Sequence, residues 1–264
     1  MRRTRKLASG AVIHSNVDSF LAARPRSGTH AIATGTEWLD ILYKDRGADS
    51  TLVCFHSALT TRVQVIPSFS GIQVSEDLDF NLIALADPAL ACGDVDLAWF
   101  LGTRGMGPLT ERLPTIVRHF LGDRKAILFG ASGGGYAAVL FGQYFVDHCV
   151  VAVNPRLDLT TSPLPDMTRY LKVAHSCKSA AALARAKSKF VPSPLKDLYS
   201  GGLSFDLHIL QNANDGVYCR NQFEPFAKSL SEDPRFFPQL YNGAPGHSII
   251  DGAFLREYLT HISL

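Results

Sequence analysis

The chain has 264 residues, of which 46% are hydrophobic and 19% charged, and its formal net charge is +2. This is the composition of a soluble globular protein, which excludes a disordered or fibrous chain. A balance so close to neutral gives no argument for nucleic acid as a partner, and no run of about 18 apolar residues is present to span a membrane.

The basic N-terminus is followed by an apolar run too short for the central region of a signal peptide. Cys54, Cys92, Cys149, Cys177 and Cys219 form no CxxC pair and no zinc-like spacing. Both features predict a cytoplasmic protein with reduced thiols, no metal and no cofactor.

In chain order, Gly10–His14 and Glu37–Tyr43 read as edge strands. Thr51–His56 (TLVCFH) and Asn81–Ala86 (NLIALA) are short continuous apolar runs, the pattern of strands buried on both faces of a parallel sheet. Leu113, Ile116, Val117, Phe120 and Leu121 form a helical stripe. Lys125–Gly130 (KAILFG) is the next strand, and Gly135–Leu140 reads as the helix after it. Cys149–Asn154 (CVVAVN) continues the series.

Between Arg156 and Gly202 no strand is evident, and Ser179–Phe190 reads as helix. Asp206–Gln211 (DLHILQ) and Phe237–Tyr241 complete the strands. The helix between those two carries Phe223, Phe226, Ala227 and Leu230, and the last helix carries Phe254, Leu255, Tyr258, Leu259 and Ile262. Strands alternating with helices predict an α/β fold, with a doubly wound, mostly parallel sheet flanked by helices. One domain over residues 1–264 is expected, with 156–202 as a helical insertion.

Between KAILFG and its helix lies Gly130-Ala131-Ser132-Gly133-Gly134, a G-x-S-x-G motif. A serine on a sharp strand-to-helix turn needs small residues two positions to either side. No lysine follows the loop and the spacing is not G-x-G-x-x-G, so a phosphate cradle is disfavoured. Asp215 follows the strand Asp206–Gln211, and His247 follows Phe237–Tyr241, each in a loop just beyond a strand end.

Serine, acid and histidine in that order, with the Gly246-His247 pair, resemble the α/β-hydrolase family from about Thr51 to the C-terminus. The resemblance implies Ser132 as nucleophile, His247 as general base and Asp215 as the group that orients the imidazole. Asp158 is the rival acid, because some members take theirs from the preceding strand. Asp206 reads as the start of a strand, and Asp251 as the cap of the last helix. Gly133 would give one oxyanion-hole N–H, and the other would come from Ser57 or Ala58, after TLVCFH. His56 reads as a loop brace and not as a second base.

Residues 156–202 would then cap the serine. From Met167 to Lys196 this insertion carries seven cations (Arg169, Lys172, Lys178, Arg185, Lys187, Lys189 and Lys196) and no Asp or Glu. That balance is either a solvated surface or an attraction for an anionic substrate. GASGGGYAA, together with Trp99–Gly102, is similar to hydrolase-like acyltransferases of bacterial surface-polysaccharide modification.

The leading expectation is therefore a serine esterase acting on a small-molecule or glycan ester or thioester through an acyl-enzyme. Transfer of the acyl group to a hydroxyl is second. A non-catalytic binding module is third, disfavoured because such proteins lose the serine or the histidine. Nothing in the sequence fixes the oligomeric state.

Overall fold

A computed structural model describes residues 3–60, 62–161 and 165–262. Nine strands form its main sheet: β1 (Val12–His14), β2 (Gly28–Thr34), β3 (Glu37–Lys44), β4 (Ser50–Phe55), β5 (Asn81–Leu85), β6 (Lys125–Ala131), β7 (Cys149–Val153), β8 (Asp206–Asn212) and β9 (Phe236–Tyr241). Their order is β9-β8-β7-β6-β4-β5-β3-β2-β1. Every neighbouring pair is parallel except those of β3, which runs against both β2 and β5.

The apolar runs are continuous because both faces of the sheet are covered. Along β4 and β5, Val53, Phe55, Ile83 and Leu85 enter one core, while Leu52, Cys54, Leu82 and Ala84 enter the other. Helices α1 (Val17–Leu21), α3 (Leu113–Leu121) and α4 (Gly133–Gly142) cover the first face. On the second lie α2 (Ile72–Asp77) and the C-terminal helix Gly252–Thr260. Every residue of α4 is buried, and its Ala137 and Ala138 are small enough to let the helix lie close to the strands. The thiols of Cys54 and Cys149 are held protonated by burial, that of Cys149 pushed up to about 12. No disulfide joins any of the five cysteines.

The element boundaries expected from sequence shift by only a few residues, with two corrections. GTHAIAT (Gly28–Thr34) is a strand that its mixed, weakly apolar pattern does not announce. Because β2 pairs along its whole length, Glu37–Lys44 is an inner strand and not an edge. The edges are β1 and β9. β9 leaves Phe237 and Leu240 exposed and carries Pro238 in its middle.

The 156–202 segment folds as α5 (Pro165–Ala174), α6 (Ala180–Phe190) and α7 (Leu195–Leu198), with no strand among its described residues. α5 and α7 sink Met167, Tyr170, Leu171 and Leu195 into the first core, whereas α6 buries only Phe190. Among the described residues no helix is long and apolar enough to cross a membrane.

Three histidines link this packing to pH. Burial holds His56, His175 and His208 near pKa 4, below their ordinary 6.5. Between those values the unfolded chain binds protons that the folded chain refuses, so folding stability falls as pH drops from about 6.5 to about 4. Asp87 acts in the opposite sense: burial raises it to about 6, so its contribution is present at low pH and lost as pH rises through that value. Three groups outweigh one. The urea midpoint is expected to be lower at pH 5 than at pH 7, and an equal or higher midpoint at pH 5 would contradict this balance.

Candidate active site

Ser132 sits between β6 and α4 with φ 54° and ψ −116°, a strained backbone for a residue with a Cβ. The surrounding glycines allow the turn. A Cβ on Gly130 would lie 2.2 Å from the Gly134 carbonyl oxygen, and one on Gly134 would lie 2.2 Å from that of Phe55. These are backbone contacts that cannot move aside. The Ser132 N–H donates to the Val153 carbonyl at 2.8 Å, tying the turn to the end of β7.

The strand ends bring the other two sequence-predicted residues to this serine. β8 ends at Asn212, so Asp215 lies in the loop just beyond it, and His247 lies beyond β9. His247 Nε2 is 2.9 Å from Ser132 Oγ, and His247 Nδ1 is 3.0 Å from Asp215 Oδ2. The imidazole bridges a serine hydroxyl and a carboxylate, with Nδ1–H donating to Asp215. Asp215 is only 3% exposed, and its second oxygen accepts the Tyr218 N–H at 3.1 Å. The Tyr218 ring stacks on the imidazole with centroids 4.1 Å apart, which fixes the ring plane from one side.

The rival residues lie elsewhere. The Asp158 carboxylate accepts from the N–H and hydroxyl of Thr160. Asp206 opens β8 and pairs with Arg235, while Asp251 caps the last helix by accepting from Ala253 and Phe254. His56 is buried with both ring nitrogens engaged: Nδ1–H donates to the Ser57 carbonyl at 2.7 Å, and Nε2 accepts the Asp87 N–H at 3.0 Å. Held near pKa 4 by burial, it braces its loop.

The 56–58 loop follows β4, which pairs in parallel with β6, so it emerges beside the turn that holds Ser132. Among the described residues the N–H groups of Ser57 and Ala58 make no hydrogen bond. Gly133 opens α4, where backbone N–H groups have no partner within the helix. Half-buried Leu97 packs over it, with Cδ1 2.3 Å from where a Cβ would stand.

Sequence reasoning missed the scaffold beneath His247. Asn154 and Asn212 are both buried at the ends of β7 and β8. Asn154 Oδ1 accepts the Asn212 N–H at 2.7 Å, and its Nδ2 donates to Tyr241 Oη and the Ser248 carbonyl. Asn212 Nδ2 donates to the carbonyls of Ala244 and Gly246, while Oδ1 accepts the Gly243 N–H. Four of these bonds hold the 243–248 loop. The available signal was the polar residue closing each apolar run, CVVAVN and DLHILQN. Among the described residues no group of three or more His, Cys, Asp or Glu side chains could hold a metal ion.

No family model matches the chain, and no curated protein matches it in sequence. Solved structures do match in shape. The chain is similar to the capsule O-acetyltransferase of Neisseria meningitidis serogroup A, with a TM-score of 0.63 at 17% identity over 89% of this chain and 94% of that one. It is also similar to an S-formylglutathione hydrolase from Agrobacterium tumefaciens, with a TM-score of 0.51 at 13% identity over 88% and 89%. A lipase-esterase related protein from Clostridium acetobutylicum matches with a TM-score of 0.53 at 10% identity over 84% and 98%. At these identities the likeness is one of fold. The mostly parallel sheet with helices on both faces is of the α/β-hydrolase type.

Proposed function

We propose that the protein is a serine-dependent acyl-group enzyme that opens an ester or thioester through an acyl-enzyme on Ser132. The observation that carries this reading is the unbroken chain from Ser132 Oγ through His247 to Asp215, built on a serine with φ 54°. A glycine-rich turn without chemistry gives no reason for a strained serine to meet an imidazole backed by a buried carboxylate.

In the proposed reaction Ser132 Oγ attacks the acyl carbonyl while its proton passes to His247 Nε2. The carbonyl oxygen becomes an oxyanion, held by the Gly133 N–H and that of Ser57 or Ala58. Collapse expels the alkoxide or thiolate, which takes the proton from Nε2, and leaves acyl-Ser132. Water or a hydroxyl then attacks, giving its proton to Nε2, and Ser132 regains one as the acyl group departs. Asp215 keeps Nδ1 protonated throughout, so that Nε2 presents a lone pair. The 156–202 helices serve as the cap over this site.

Transfer to a hydroxyl, in place of hydrolysis, is favoured by one specific likeness. The O-acetyltransferase aligns over nearly the whole of both chains with a higher TM-score than either hydrolase. A histidine-to-alanine mutant of that enzyme was solved in complex with CoA, which makes an acyl-CoA the donor to try first.

A labelled fluorophosphonate tests the acyl-enzyme reading. One equivalent is expected on Ser132 by intact mass and peptide mapping, and none in Ser132→Ala. Labelling that persists in the variant, or wild type that stays unlabelled, refutes it. Incubation with acetyl-CoA, followed by water or a sugar as acceptor, separates hydrolysis from transfer.

A further inference from the structure

Arg156 stands three residues beyond β7, and its backbone N–H reaches the Ser132 carbonyl at 3.4 Å. Its guanidinium touches neutral acceptors only: Nε donates to the Asp158 carbonyl at 3.2 Å, and Nη2 to Thr161 Oγ1 at 3.5 Å. Among the described residues Nη1 donates to nothing, and no carboxylate lies within ion-pair reach. Every other described arginine withdrawn from solvent has a carboxylate within 4.0 Å, namely Arg3, Arg5, Arg46, Arg124, Arg235 and Arg256. Arg156 departs from this rule, and its backbone is bonded to that of the serine.

A half-desolvated guanidinium without a counter-charge costs free energy, which an anionic ligand would recover. The loop that carries it is held rigid. Gln222 Oε1 accepts the N–H groups of Leu157 and Asp158, each at 2.9 Å, and Gln222 Nε2 donates to Thr161 Oγ1. The guanidinium is therefore presented in a fixed place, which cuts the entropy lost on binding.

Thr161, the partner of Arg156, also lines a cavity of about 220 Å³. Thr160, Thr168 and exposed Lys187 share its polar rim, and Leu159, Met167, Leu171 and Leu183 supply its apolar side. Among the described residues Lys187 has no carboxylate partner either, and no acid occurs from Met167 to Lys196 to offset it. Of these two cations without counter-ions among the described residues, Lys187 lines the cavity and Arg156 reaches its wall through Thr161.

Resting on the acyl-enzyme reading above, we propose that Arg156 is a specificity-determining residue that takes an anionic group, carboxylate or phosphate, on the alcohol portion of the substrate, with Lys187 as the second cation. The planar fork of donors suits either group. Bound there, the anion orients the ester oxygen toward Ser132, and the charge of the insertion serves recognition as well as solvation.

Three acetate esters test this: phenyl acetate, 4-acetoxybenzoate and 4-acetoxyphenyl phosphate. Phenol release is measured in wild type, Arg156→Gln, Arg156→Lys and Lys187→Gln, with thermal unfolding and fluorophosphonate labelling as controls for folding. Losing a charge-assisted contact of this kind is worth at least about 10-fold in binding. The anionic-to-neutral ratio of kcat/KM is expected to fall by that factor in Arg156→Gln, mainly through KM. Arg156→Lys should recover part of it and Lys187→Gln should lose less. Whichever anionic ester wild type prefers distinguishes carboxylate from phosphate.

An equal fall on all three esters would reduce Arg156 to a loop brace, and an unchanged ratio with Ser132 still labelled would overturn the proposal alone. If wild type neither labels nor releases phenol from any ester, the acyl-enzyme reading fails and takes this proposal with it.

Discussion

Ser132→Ala is expected to lower the turnover of an activated ester by about 10⁶-fold, with folding barely affected. The size follows from the chemistry proposed. Without Oγ there is no nucleophile for His247 to deprotonate, and the residual rate comes only from binding and the oxyanion donors. The small change in stability follows from position. Oγ has one hydrogen bond, to the exposed ring of His247, while the bond that holds the turn comes from the backbone N–H of residue 132 and survives the substitution. Steady-state rates and the thermal midpoint check both halves. A variant that keeps more than a few per cent of the activity would place the nucleophile elsewhere.

Asp215→Asn should cost about 10⁴-fold in kcat, and the reason lies in the second oxygen of the carboxylate. Asp215 Oδ1 accepts the Tyr218 N–H at 3.1 Å. In the variant the amide oxygen turns to that donor, which leaves the NH₂ facing His247 Nδ1. The ring can then meet it only with a lone pair at Nδ1, so the proton moves to Nε2 and blocks the base. Asp158→Asn removes nothing beyond the bonds to Thr160 and should change kcat by less than about 3-fold, a surface-type effect. The reverse ranking in a steady-state assay would return the acid to Asp158.

What could be read in the sequence divides along physical lines. The strands β4 to β8 and the Ser132 turn announce themselves because a strand covered on both faces must be apolar throughout, and the turn tolerates only small residues near it. Asp215 and His247 were legible from their place after strand ends. β2 was not, because GTHAIAT mixes polar and small residues along one segment. Asn154, Asn212 and Gln222 were hidden for another reason. Each matters through partners 31 or more residues away, and no local pattern records such bonds. The missing counter-ion of Arg156 is likewise a fact about neighbours in space.

The outermost strand β9 bears on how copies of this chain meet one another. A sheet edge is a row of backbone groups ready to pair with a second molecule, and exposed Phe237 and Leu240 would strengthen that contact. Pro238 between them has no N–H to offer, and such a residue is tolerated in a strand where the missing donor faces away from the ladder. The edge is thus interrupted at its centre. A Pro238→Val change would complete a flat apolar template and turn this edge into a site for intermolecular β-pairing and aggregation.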